Sequence, residues 1–145
     1  MKRCFLVFIA VAALVSCDTT KKDKVAEEAV KEQMAAALKD STSVQLIDSI
    51  YNFGSVNEGE QVEFNFRFKN TGTKALVITE AHASCGCTVP EKPEKPVMPG
   101  ETGFMKVVFN SKGKEGHQEK GIVVSSNVKP SFPDLKLIGE VKRGK

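Results

Sequence analysis

The chain has 145 residues, with 21 Lys and Arg against 18 Asp and Glu and a formal charge of +3. Lys2 and Arg3 fall in an apolar leader; without them the balance is 19 basic to 18 acidic side chains, close to +1. So small a charge excludes both a nucleic-acid footprint and a polybasic membrane patch.

Met1-Lys2-Arg3-Cys4 is a short positive start, followed by the uninterrupted apolar run Phe5 to Leu14. As a helix that run would cover about 15 Å, half of a bilayer core, so it cannot span. The pattern predicts a secretory signal peptide over residues 1–16. Leu14-Val15-Ser16-Cys17 resembles the lipobox of bacterial lipoproteins. That resemblance implies that Cys17 carries a diacylglycerol, becomes the first mature residue and anchors the chain in the cell envelope, facing the periplasm or the cell surface. Two acyl chains hold a protein stably where one would only visit. The alternative is an ordinary signal peptide with a cysteine at its end.

Residues 18 to 43 are rich in Lys, Asp, Glu, Ala, Ser and Thr and hold no aromatic side chain. They cannot bury a core, and residues 17–43 therefore read as a polar tether. Val25, Ala29 or Val30, Met34 and Leu38 recur at near-helical spacing, which predicts a marginal helix over Val25 to Lys39. It is either a solvated linker or an amphipathic helix that binds a partner. Asp18-Thr19-Thr20, Asp40-Ser41-Thr42 and Asp48-Ser49-Ile50 resemble a bacterial O-glycosylation pattern, which makes Thr19, Ser41 and Ser49 candidate acceptors.

Residues 44–145 form the expected folded domain. Its clearest strand is Gln61 to Asn70, where Val62, Phe64, Phe66 and Phe68 alternate with Glu63, Asn65, Arg67 and Lys69. A period of two puts the apolar set on one face, as in a half-buried antiparallel strand, and predicts that Phe64, Phe66 and Phe68 are buried together. Strands are also expected over Val44–Ile47, Asn52–Val56, from Leu76 onward, and over Gly103–Asn110, Gly121–Ser125 and Leu135–Val141. Pro90, Pro93, Pro96 and Pro99 punctuate what reads as one long loop, since missing N–H donors exclude a central strand. Gly113 and Gly116 read as a hairpin turn. About seven short strands separated by Gly, Pro and Asn clusters predict an all-β, antiparallel, immunoglobulin-like sandwich.

The blocks "YNFGSVNEGEQVEFNFRFKNTGTKALVI", "SCGCTVP", "VMPGETGFMKVVFNSKGKEG" and "IVVSSN" resemble the bacterial family known as domain of unknown function 1573, over about Ile50 to Val141. The resemblance implies a fold similar to major-sperm-protein and pilus-chaperone-like domains, and a lipoprotein. It implies no activity.

Ser84-Cys85-Gly86-Cys87-Thr88 carries the two cysteines that remain once Cys4 is removed and Cys17 lipidated. On an extended chain residues i and i+2 project to one side with Cα atoms about 6.5 Å apart, near the upper limit for a disulfide, and Gly86 can shorten that gap. The ring would be small, so it would stabilise little and reduce easily, as exchange or sensing cysteines do. An oxidising compartment favours closing it. A second reading takes Cys85, Cys87 and His82 as soft ligands for copper or zinc, with a fourth ligand still to be found and only His117 left among the histidines. A third leaves the thiols packed as quiet apolar groups.

Glu58, Glu60 and Glu63 read as a wet face, and neither a phosphate loop nor a serine nucleophile motif is present. No catalytic residue and no resident cofactor are therefore expected. Two functions stand: a non-enzymatic module held to the membrane by the Cys17 diacylglycerol that binds another envelope protein or a glycan, and a thiol redox or copper-handling protein centred on Cys85 and Cys87.

Overall fold

The computed structural model describes residues 19–143. A helix, α1 (Thr19–Ala37), precedes eight strands: β1 (Val44–Leu46), β2 (Ile50–Asn57), β3 (Gln61–Asn70), β4 (Ile78–Ala83), β5 (Thr88–Glu91), β6 (Thr102–Asn110), β7 (Gly116–Ser126) and β8 (Leu135–Lys142). They form two four-stranded sheets, β1-β3-β6-β5 and β2-β8-β7-β4, an all-β sandwich around one apolar layer. All pairings are antiparallel except β2 with β8, which is parallel. β2 lies beside the last strand rather than a sequence neighbour, so its direction is set by the topology and not by a tight turn.

β3 occupies the residues its alternation marks out. Val62, Phe66 and Phe68 are buried, while Glu63, Asn65, Arg67 and Lys69 face solvent. Phe64 departs from the expectation of common burial: it is half-buried, stacked on Tyr51 at 3.8 Å and edge-on to Phe66 at 4.9 Å. Opposite β3 lie Met105, Val107 and Phe109 of β6, and the other sheet contributes Ile122, Val124, Leu135, Leu137 and Val141. Phe132, from the β7–β8 connection, closes the core edge-on against Phe68 at 5.3 Å.

Three connections differ from the expected ones. The turn at Gly113 and Gly116 is not a hairpin; it carries the chain from β6 in one sheet to β7 in the other. β6 is already paired with β3 and β5, so no edge of it is free to receive β7. The proline-rich stretch begins inside β5, where Pro90 sits on an edge strand paired with β6 on one side only; there its missing N–H breaks no second ladder. Leu76 does not start β4. It exchanges N–H···O bonds of 2.9 Å each way with Val97 and pins the proline-rich stretch to the strand's approach.

Two buried asparagines tie these irregular segments down. Asn70 Nδ2 donates to Lys74 O at 2.7 Å and Val97 O at 2.9 Å, while Oδ1 accepts from Thr42 Oγ1 at 2.8 Å and Gly72 N at 3.1 Å. Asn127 Oδ1 accepts from Val77 N, and its Nδ2 donates to Ala75 O and to Ala37 O and Asp40 O at the end of α1. An asparagine amide can satisfy several backbone groups at once where no ladder reaches them. α1 turns Val30, Met34 and Ala37 inward while Leu38 stays exposed. Beside Val30 and Ala36 a cleft of about 470 Å³ opens against Ala75, Pro96 and Met98.

Candidate functional site

Residues 84–87 carry the chain from β4, the edge of one sheet, to β5, the edge of the other. Cys85 and Cys87 are joined in a disulfide with their Cα atoms 5.3 Å apart. Three backbone bonds hold the same corner: Ser84 N to Gly121 O at 2.9 Å, Thr88 N to Cys85 O at 3.2 Å and Asn110 N to Cys87 O at 2.8 Å. Both cysteines are half-buried, and Cys87 packs against the core. Gly86 at the tip is exposed, with open space where a side chain would stand. Thr88 Oγ1 lies 3.7 Å from Cys85 Sγ. A disulfide sulfur has no proton, so the threonine hydroxyl is the donor.

His82 projects from β4 into solvent with 72% of its side chain exposed, its Nε2 3.1 Å from Glu80 Oε2. On β7 it faces Val123, whereas His117 stands six residues away, about 20 Å along the strand. The structure therefore does not bring His117 to His82. In the disulfide neither sulfur is a thiolate, so Cys85, Cys87 and His82 make a soft ligand set only in the reduced chain. Among the described residues no three His, Cys, Asp or Glu side chains cluster as a metal site.

A second feature lies on the outer face of the β1-β3-β6-β5 sheet. Phe104 of β6 is 55% exposed and faces Arg67 of β3. On the other side of Arg67 stands the exposed Ile47, whose N–H donates to Arg67 O at 3.0 Å. The Arg67 guanidinium is gripped by Asp48, Nε to Oδ2 at 2.7 Å and Nη2 to Oδ1 at 3.0 Å. In the next row Lys106 reaches Glu63 and Glu91 at 3.8 and 3.7 Å, and beyond it Val89 faces Val108. The result is a fixed cation between two exposed apolar side chains.

The fork of hydrogen bonds from Arg67 holds the Asp48 carboxyl below its ordinary 3.8. A carboxylate depressed in the folded state adds stability above its unfolded value and loses it as pH falls through the folded one. The unfolding midpoint in urea should thus drop more steeply below pH 3.8 in the parent chain than in Asp48→Asn, which lacks that proton uptake. The effect is small and fades in salt, because the pair is exposed. Identical acid limbs would show that the pair contributes nothing.

Ser41 and Ser49 are exposed, and Thr19 is the first residue of α1. The Asp48 that precedes Ser49 is already engaged by Arg67. Cys17 and the leader over 1–16 lie outside the described residues. Thr88 and Phe104 were not singled out from sequence: a threonine beside a cysteine is unremarkable, and Phe104 shows its outward register only as the out-of-phase member of the Met105, Val107, Phe109 alternation.

A profile of the family described as protein of unknown function (DUF1573) matches residues 44–141. No curated protein matches the chain. Among solved structures, a protein of unknown function from Porphyromonas gingivalis W83 is similar with a TM-score of 0.61 at 13% identity, over 70% of this chain and 47% of that one. The PapD-like (ASH) domain 7 of human CEP192 is similar with a TM-score of 0.55 at 12% identity, over 72% and 89%. The secreted serine protease VesC from Vibrio cholerae reaches 0.52 at 10% identity, over 85% of this chain and 25% of that one. The chain thus spans about half of the first of these and a quarter of the third. At such identities the likeness is one of fold, an immunoglobulin-like sandwich related to PapD-like domains.

Proposed function

The chain belongs to the DUF1573 family, and we propose that it is a lipid-anchored module of the bacterial cell envelope that binds another envelope protein and has no catalytic role outside the Cys85–Cys87 pair. The lipobox-like Leu14-Val15-Ser16-Cys17 supports the anchor. The observation that carries the binding part is the outer-face row of Ile47, Arg67 and Phe104. Aromatic and arginine side chains dominate the energetics of protein interfaces, and a guanidinium already held by Asp48 loses less freedom on docking. Phenylalanine standing in water on a central strand gains by being covered. A protein surface suits this row better than a glycan, since its apolar members are aliphatic or lack a hydroxyl.

The test places a photo-crosslinking side chain at position 104 in cells, with exposed Lys129 as the control position. A discrete protein adduct from 104 and none from 129 is expected, and its yield should fall several-fold with Arg67→Ala. A glycosidase-sensitive adduct, or none, overturns the protein-docking assignment. In the same cells Cys17→Ala should leave the membrane fraction or stay unprocessed. Labelled fatty acid entering that variant would overturn the anchor.

A further inference from the structure

We propose that the Cys85–Cys87 disulfide is an exchange site that accepts two electrons from a dithiol, with Cys85 as the sulfur attacked. This goes beyond the binding role and stands independently of it. The covalent link duplicates what the backbone already does. It joins residues two apart, across a turn that Thr88 N and Cys85 O close and that Ser84 N and Asn110 N anchor on either side. A loop that short removes little freedom from the unfolded chain, so opening it takes little from the fold. A bond that adds so little hold, half-buried at a corner whose Gly86 tip is exposed between two sheet edges, is suited to being opened.

Access and polarity then distinguish the two sulfurs. Cys87 packs against the core, whereas Cys85 stands outside it beside the unobstructed Gly86. A thiolate of the incoming dithiol attacks Cys85 Sγ; the Cys85–Cys87 bond breaks, and Cys87 leaves as a thiolate and takes a proton. The second thiolate of the dithiol attacks its own sulfur in the mixed disulfide, and Cys85 leaves. At that step the Thr88 hydroxyl, 3.7 Å from Cys85 Sγ in the oxidised chain, donates a hydrogen bond to the thiolate developing on Cys85. The dithiol ends as a disulfide, and Cys85 and Cys87 end as two thiols. Two electrons and two protons have moved, with nothing left over. Thr88 is a positioning residue here, since it acts through the sulfur.

The experiment uses the purified full chain with dithiothreitol as the dithiol and a single-cysteine peptide as a trap. The native chain should be reduced without denaturant, with its circular dichroism unchanged and its melting temperature lowered by less than about 5 °C. The trapped peptide should map to Cys85. Thr88→Val should slow the departure of Cys85 from its mixed disulfide by about tenfold and Thr88→Ser should restore it, with the same fold in both. If reduction requires urea, or if the reduced chain melts far lower, the disulfide is a staple and the proposal fails. A peptide found on Cys87 overturns the assigned direction of attack. Equal rates in Thr88→Val and the parent remove Thr88 from the mechanism.

Discussion

Phe66→Ala is expected to lower the free energy of unfolding by about 3 to 5 kcal/mol, while Phe64→Ala, one alternation away on the same strand, costs roughly half as much. Phe66 is fully buried, faces Met105 across the β3–β6 ladder and takes the edge of Phe64. Its removal leaves a cavity that a close-packed two-sheet core cannot collapse around. Phe64 is half-buried at the margin of the core, and the stacked ring of Tyr51 can follow it inward. Urea denaturation of the two variants side by side decides the matter. Domains of this size have only about 5 to 15 kcal/mol in total, so the first variant should unfold at a visibly lower urea concentration. Equal costs, or a larger one at Phe64, would mean that the tightest packing along β3 lies elsewhere than the structure puts it.

Asn70→Leu should be almost as damaging, by about 3 kcal/mol, although it keeps the branching and heavy-atom count and adds apolar surface. Asn70 is fully buried, and its one amide group serves the hydroxyl of Thr42, the N–H of Gly72 and the carbonyls of Lys74 and Val97. A leucine leaves each of those four groups one bond short, with Thr42 Oγ1 and Lys74 O still paired to each other, Gly72 N to Ser43 O and Val97 O to Leu76 N, and each lost bond costs about 0.5 to 1.5 kcal/mol less whatever rearrangement recovers. Because Val97 pairs with Leu76 in an isolated bridge, the variant should also speed hydrogen exchange at those two amides relative to β3. A change within about 0.5 kcal/mol of the parent, the usual range for surface sites, would show that Asn70 is dispensable.

The strands with a clean period of two could be read from the chain. Val62 to Phe68 in β3 and Met105 to Phe109 in β6 announce both their conformation and their buried face, because alternation is a local property that survives in any sandwich. Outside that pattern the local signal is weaker. β5 was hidden by Pro90, since a proline argues against a strand until one knows that the strand lies at an edge. Phe132 sits between Pro130 and Pro133 in a polar stretch and shows no periodicity, yet it is 4% exposed against Phe68. Asn70 precedes Thr71-Gly72 and Asn127 follows Ser125-Ser126, polar surroundings that carry no local sign of the buried hydrogen bonds the two amides make.

The all-β class, the inward face of β3, β6 and β8, membership of the DUF1573 family over residues 44–141, and the closeness of Cys85 to Cys87, which two residues of chain enforce, are all written in the local pattern of residues. Which strands share a sheet is a long-range outcome, as are the parallel pairing of β2 with β8, the crossing of the Gly113–Gly116 turn between sheets, the place of the cysteines where two sheet edges meet, and the position of Arg67 between Ile47 and Phe104. The reason lies in the range of the forces. Alternation and turn chemistry are set by neighbours within a few residues. Sheet partnership depends instead on which edges remain unpaired once the whole chain has buried its apolar faces, and no short window of residues contains that information.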